Sequence, residues 1–308
     1  MQAQYAPSAY VGLWSRVEAF DREDLTRALV RRSLVQATSL RSTIHVVSAR
    51  DFWPLAEAVR SSRQRWWIRA THRPDLVRAT QAAARRLRVI LADGPRPRDE
   101  LIRELGVDTT TWNGAALWIE LVRVPPSGTW ERRRADLFAT AEDWLGPSTS
   151  TKQEGLDLLV RRYLGGFGPG SRADIAGWSG VPVSTLAPAI ARLPLRRFRD
   201  ERGEELLDLP RCPLPDAGVP APVRFLPTWD ATLLVHARRT QILPERFRPA
   251  VFNTKTPHSV PTFLVDGQVA GTWSERTGHI TLEPFEPLPG DARRALAEEA
   301  ERLEAFVS

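Results

Sequence analysis

Residues 95–134 read PRPRDELIRELGVDTTTWNGAALWIELVRVPPSGTWERRR. Arg98 to Leu105 has the apolar spacing of a short helix, and Gly106 closes it. The stretch from Thr109 to Val124 reads as a second helix running into a strand, and PPSG is a turn. Helix, turn, helix and a two-stranded hairpin in this order is the winged-helix pattern, with PPSG near the hairpin tip. The basic run Arg132, Arg133 and Arg134 follows directly. Beside a hairpin such a run can reach a phosphate backbone. It can equally be a solvated hairpin edge protected by its charge.

The pattern recurs downstream. Residues 155–193, GLDLLVRRYLGGFGPGSRADIAGWSGVPVSTLAPAIARL, give one long helix, a Gly/Pro turn, a helix over Ser171–Trp178 and another over Val183–Leu193. Ser171 and Ser184 are expected caps, and Gly180 with Pro182 makes a tight turn between helices. Upstream, Asp75–Leu91 is helical and rich in arginine. Leu25–Val35 reads as a helix with Asp21 as N-cap and Asp24 in its first turn, and Thr43–Val47 as a strand. Ser48 is expected to cap a helix over Ala49–Arg60, and Trp66 and Trp67 to lie in a core.

The proline-rich stretch 210–227 marks a boundary. Beyond it FLPTWDATLLVHARR (225–239), PTFLVDGQVAGTW (261–273) and HITLEPF (279–285) read as strands, with Asp266–Gly267 as a hairpin turn. Asp291–Val307 is an amphipathic helix presenting Leu296, Ala300, Leu303 and Phe306 on one face. The expected fold class is α+β: tandem winged-helix (helix-turn-helix) modules over 1–74, 75–150 and 151–209, then a β-rich, barrel-like domain over 210–308 that ends in a helix.

The 308 residues are too many for one ordinary core. No apolar run approaches a membrane span, and no basic-then-apolar export signal opens the chain, so a cytoplasmic, nucleoid-associated monomer is expected. Cys212 is the one cysteine, which excludes an internal disulfide and a cysteine-rich metal site. The five histidines are scattered, and no HExxH spacing, GxSxG elbow or phosphate-cradling loop exists. No metal, nucleotide or other cofactor is expected. The net charge of +6 and pI of about 10.3 suit a polyanionic partner. The bases are nearly all arginine, with Lys152 and Lys255 the only lysines, a skew that GC-rich codons also produce.

The chain opens MQAQYAPSAYVGLWSR. On an extended backbone Gln2 and Gln4 point to one side, and their amides can hold a water without titrating. Spacing alone also fits a frayed terminus.

Several motifs in order carry a family resemblance: YVGLWSR (10–16), LVQATSLRSTIHVV (34–47), VPPSGTW (124–130), ATAEDWLG (139–146), LVRRYLGGFGP (159–169), WSG (178–180), FLPTWD (225–230), PTFLVDGQVAGTW and ITLEPF (280–285). Together they resemble the bacterial winged-helix DNA glycosylases of the AlkZ and YcaQ type, over essentially the whole chain. The resemblance implies three tandem winged-helix modules and a β-barrel-like domain forming a basic concave surface for damaged double-stranded DNA. It implies a monofunctional, metal-free enzyme that excises alkylated purines or unhooks interstrand crosslinks. The family's Gln–apolar–Gln motif falls on Gln2, Ala3 and Gln4, the AlkZ-like form, which makes both glutamines the catalytic candidates. Arg41 and His45 flank the short strand and are candidate DNA contacts, as are Thr254 and Lys255 in a polar loop with Asn253 and His258. Arg41 paired with a carboxylate and His45 packed on the next helix is the competing reading.

There are departures. The family's Arg-Gly-Thr is Arg41-Ser42-Thr43 here, and an expected Asp after FLPTWD is Arg238. A helical segment precedes the Gln motif in the family, so a translation start upstream of Met1 is expected. The alternative to an enzyme is a non-catalytic winged-helix DNA-binding or regulatory protein.

Overall fold

The computed structural model describes residues 1–216, 218–234, 239–252 and 259–308. It is a mixed helix-and-strand protein that divides into two compact units. One joins Met1–Leu25 to Pro213–Ser308, and the other is Thr26–Cys212. No helix among the described residues is long and apolar enough to cross a membrane.

The two-segment unit is built on a four-stranded antiparallel sheet. Its order is His279–Pro284, Gln268–Arg276, Thr262–Val265 and Arg224–Leu226. Asp266 and Gly267 both have positive φ (49° and 75°), which matches the right-handed twist of the strands they connect. The sheet is open, and the described residues form no closed barrel. The expected strand at FLPTWDATLLV stops at Leu226. Trp229 takes a left-handed φ of 56°, and the Asp230 carboxylate then accepts the Thr232 N–H at 2.9 Å. This turns the chain into the helix Ala231–Leu234.

The helix Ala6–Trp14 is buried over most of its length and tied to the sheet end by Ser8–Thr228 (3.1 Å) and Arg16–Asp230 (2.8 Å). The C-terminal helix Gly290–Val307 buries Leu296, Ala300 and Leu303, as its periodicity predicts. Phe306 rests against the rings of Trp14 and Phe20, at 5.9 and 6.0 Å.

In the Thr26–Cys212 unit, one antiparallel sheet takes its strands in the order Ile44–Ser48, Leu34–Thr38, Leu121–Arg123, Leu137–Thr140 and Arg96–Pro97. Strands from both sides of the long Ala49–Thr71 and Pro74–Ile90 helices thus enter a single sheet. Asp21 caps the helix Arg22–Val30, accepting the Glu23 N–H at 2.7 Å. That helix ends five residues before the predicted Val35. Arg32, at φ 61°, sits in the left-handed position of a Schellman motif: Ser33 N–H bonds Ala28 carbonyl and Arg32 N–H bonds Leu29 carbonyl. Leu34 and Val35 are thereby released into a strand.

Ser48 caps the Ala49–Thr71 helix through the Asp51 N–H (3.2 Å). The helix runs eleven residues past the expected Arg60, to His72 in the left-handed region. Its first half packs against the helix Lys152–Phe167 in a core that includes Leu55, Val59, Leu159, Val160 and Tyr163. The two backbones touch at Gly155, where a Cβ would stand 2.0 Å from the Pro54 carbonyl oxygen.

The helices Arg172–Ser179 and Val183–Arg192 complete this core with Ile175, Leu186 and Ile190. Ser171 forms a full capping box with Asp174. Ser184 is not a cap. Pro182, at φ −58°, occupies the N-cap and places Ser184 inside the first turn. Of the two expected core tryptophans only Trp67 is buried, while Trp66 is 51% exposed. Neighbours on a helix lie about 100° apart, so both cannot face one core.

Candidate functional site

Gln2 and Ala3 are buried, and Gln4 is exposed. The backbone up to the extended Tyr5 (φ −120°, ψ 125°) is non-helical, as a shared amide site requires. Bends at residues 4 and 5 break the two-residue alternation before the helix begins at Ala6, which is why the two glutamines differ in exposure. They belong to the two-segment unit. A cavity of that unit, about 840 Å³, runs from Trp14–Phe20 to Glu299 and Arg302 and includes neither glutamine.

Arg41 and His45 belong to the other unit. Arg41 lies in the turn Leu40–Ser42 between its two N-terminal strands, and His45 in the strand Ile44–Ser48 that follows. Arg41 and Ser42 both adopt left-handed backbone, with φ 52° and 60°. The Arg41 guanidinium donates to the Trp178 carbonyl, at the end of the Arg172–Ser179 helix. Desolvation lowers its pKa to about 10, so it is cationic at neutral pH. Gly180, at φ 72°, packs on Arg41, where a Cβ would sit 3.2 Å from the Arg41 Cα. The Arg41 site is thus shaped by the turn after Trp178.

His45 is buried. Its Nδ1 lies 3.0 Å from the Thr43 carbonyl oxygen, which can only accept, so Nδ1 carries the proton and Nε2 keeps its lone pair. Desolvation, aided by the nearby Arg41 charge, holds the imidazole well below the usual histidine range. It is neutral at physiological pH.

Arg132, Arg133 and Arg134 follow the hairpin turn but are not a free arm. The loop from Val124 to Asp136 is closed by the buried Ser127, whose hydroxyl accepts the Asp136 and Leu137 N–H groups (2.6 and 3.0 Å) and donates to the Arg134 carbonyl (2.9 Å). Arg132 lies 3.4 Å from Asp136, and Arg134 bonds Asp99 and Asp136 at 3.0 and 2.9 Å. The Arg133 guanidinium sits 5.1 Å from the Trp130 ring. Thr254, Lys255, Asn253, His258 and Arg238 lie outside the described residues.

Sequence reading missed two arginines. Arg63, on the Ala49–Thr71 helix, meets Glu120 in a buried ion pair. Arg123, on the strand Leu121–Arg123, is desolvated to a pKa of about 10 and lies 5.2 Å from the Phe138 ring. Neither belongs to a local motif. For Arg123 the only sequence signal is an arginine inside the apolar LVRV, and Arg63, in the polar SSRQR, gives none. Among the described residues no three His, Cys, Asp or Glu side chains gather as a metal requires.

The comparisons agree with this architecture. A solved structure, the Streptomyces sahachiroi DNA glycosylase AlkZ, superposes with a TM-score of 0.80 over 100% of this chain and 88% of that one, at 20% identity. Among curated proteins no sequence match reaches significance. The model of the family described as DNA glycosylase AlkZ-like matches residues 1–306, and the chain therefore belongs to the AlkZ-like DNA glycosylase family.

Proposed function

We propose that this protein hydrolyses the N-glycosidic bond of an alkylated purine in double-stranded DNA, or of one arm of an interstrand crosslink. The observation that carries this reading is the family match over residues 1–306. In the reaction water attacks C1′ of the deoxyribose as the C1′–N bond breaks. The bonding electron pair neutralises the cationic base, which leaves as a neutral purine, and the water's spare proton goes to solvent. An N-alkylated purine is already a good leaving group, so no strong acid is required. What is required is a held water and stabilisation of an oxocarbenium-like sugar.

Gln2 and Gln4 fill that role in this reading. Amide oxygens accept from the water and turn their dipoles towards the developing positive charge without titrating. The burial of Gln2 supports it, because a desolvated amide holds a water more firmly than an exposed one. Arg41, neutral His45 and the Arg132–Arg134 loop are assigned to the DNA strand, together with Thr254 and Lys255. A bulky crosslink is attacked from the groove without extrusion. The same reading takes 1–74, 75–150 and 151–209 as winged-helix modules, 210–308 as the C-terminal domain, and the protein as a cytoplasmic monomer.

The test is base release from a duplex carrying 7-alkylguanine, alongside a salt series of duplex binding. Gln2→Ala and Gln4→Ala are expected to lower the release rate by about 10²–10³-fold with binding retained. Wild-type rates in both variants would remove the glutamines from the chemistry. Salt-dependent binding with no release by the wild type would make the protein a non-catalytic DNA binder.

A further inference from the structure

A second cavity, about 350 Å³, opens in the Thr26–Cys212 unit between the second half of the Ala49–Thr71 helix and the turn at Gly180. Its lining includes Arg41, Arg63, Arg65 and Arg69, with no aspartate or glutamate. Arg63 is matched by Glu120, but the others add positive charge at the opening. Arg65 and Arg69 are exposed and lie four residues apart, one above the other on the helix. Arg65 bonds only the Ser62 hydroxyl (3.3 Å), and Arg69 has no hydrogen-bond or ion-pair partner among the described residues. Like charges so placed repel each other along the helix, and a bound anion relieves that repulsion.

Trp66 lines the same opening beside them, half in solvent. An indole at a basic rim is the arrangement that stacks on bases. In an intact duplex each base face is covered by its neighbours, so Trp66 finds one only where a nucleotide has left the stack. The volume is at the small end for a ligand cavity and suits one nucleotide. We infer that this pocket holds an unpaired nucleotide of a DNA strand, its phosphate on Arg65 and Arg69 and its base against Trp66. Gln2 and Gln4 do not line it, so the occupant is an ordinary nucleotide rather than the damaged one. The inference rests on the function proposed above only in taking DNA as the polymer.

The experiment is fluorescence anisotropy of labelled decathymidylate with the full chain across a salt series. The altered side chains are exposed, so the variants fold. Trp66→Ala is expected to weaken binding about 5- to 100-fold, with Trp66→Phe largely restoring it. The Arg65→Ala/Arg69→Ala double variant is expected to flatten the log–log salt slope by about 1.4, two phosphates at about 0.7 each on single-stranded DNA. Wild-type affinity in Trp66→Ala overturns the inference. So does loss in the arginine variant alone, which would make the pocket a phosphate clamp without a base. Binding of this pattern in a chain that releases no 7-alkylguanine keeps the pocket and removes the proposed activity. Base release with unaffected pocket variants does the reverse.

Discussion

The Arg63 guanidinium donates twice to the Glu120 carboxylate, at 2.7 and 2.8 Å, with side chains 2% and 7% exposed. A third bond, from Arg63 to the Thr38 carbonyl at 2.6 Å, ties the long helix to the strand Leu34–Thr38. Burying two charges is costly, and the pair offsets that only while both members remain. Glu120→Ala leaves the Arg63 cation unmatched and is expected to destabilise the protein by about 3–5 kcal/mol. Urea unfolding of the variant measures this. A loss below about 1 kcal/mol would mean that the Arg63 cation reaches water or another acceptor once Glu120 is gone.

Ser42 occupies left-handed backbone, where a side chain is strained by about 1–2 kcal/mol. Ser42→Gly is therefore expected to raise stability by about 0.5–1 kcal/mol, after the added flexibility of the unfolded chain. The readout is the midpoint of denaturant unfolding at unchanged slope.

The opposite substitution, Gly180→Ala, meets both left-handed backbone and the Arg41 backbone at 3.2 Å. It is expected to cost about 1–3 kcal/mol. Thermal unfolding gives the loss, and weaker decathymidylate binding would show that the wall beside Arg41 moved.

His45 has a pKa depressed in the folded protein chiefly by desolvation, with the Arg41 charge adding to it. The unfolded chain binds a proton near pH 6.5 while the folded one does not. This contribution to stability is full above about pH 6.5 and declines as pH falls below it, by up to about 1.4 kcal/mol per pH unit. Unfolding at pH 5.0 and 7.5 should show that decline, and His45→Gln should remove its His45-dependent part.

Ser127 makes its bonds from a buried position, closing the loop that carries Arg132–Arg134. Ser127→Ala leaves the Asp136 and Leu137 N–H groups without their acceptor and is expected to cost about 1–3 kcal/mol. Limited proteolysis after Arg132 and Arg133 would report the opened loop.

Much of this fold is written locally. Ser48, Ser171 and Gly106 mark helix ends because a cap needs only a hydroxyl or a glycine at a fixed offset. The hairpin at Asp266–Gly267 is legible for the same reason. Leu34–Val35 was not, because the helix before it is stopped by Arg32, a residue that gives no left-handed signal. The strand predicted through Asp230 fails on the backbone of Trp229, which only its surroundings impose. Trp66 and Trp67 look alike in a composition window and diverge on a helix. In the candidate site, Arg41 and His45 could be named, but not the Trp178 carbonyl or the proton on Nδ1, which depend on chain 137 residues away and on burial. Arg63 and Glu120 are 57 residues apart, and nothing in either neighbourhood announces the other.

The unit that carries Gln2 and Gln4 is completed by Pro213–Ser308, nearly two hundred residues further along the chain. During synthesis the leading helix leaves the ribosome long before Thr228 and Asp230 exist to receive Ser8 and Arg16. The middle of the chain can settle while its first residues wait. A nascent polypeptide halted near Cys212 would therefore carry both glutamines yet lack the strands of their unit, so that unit matures only after Pro213–Ser308 has been made.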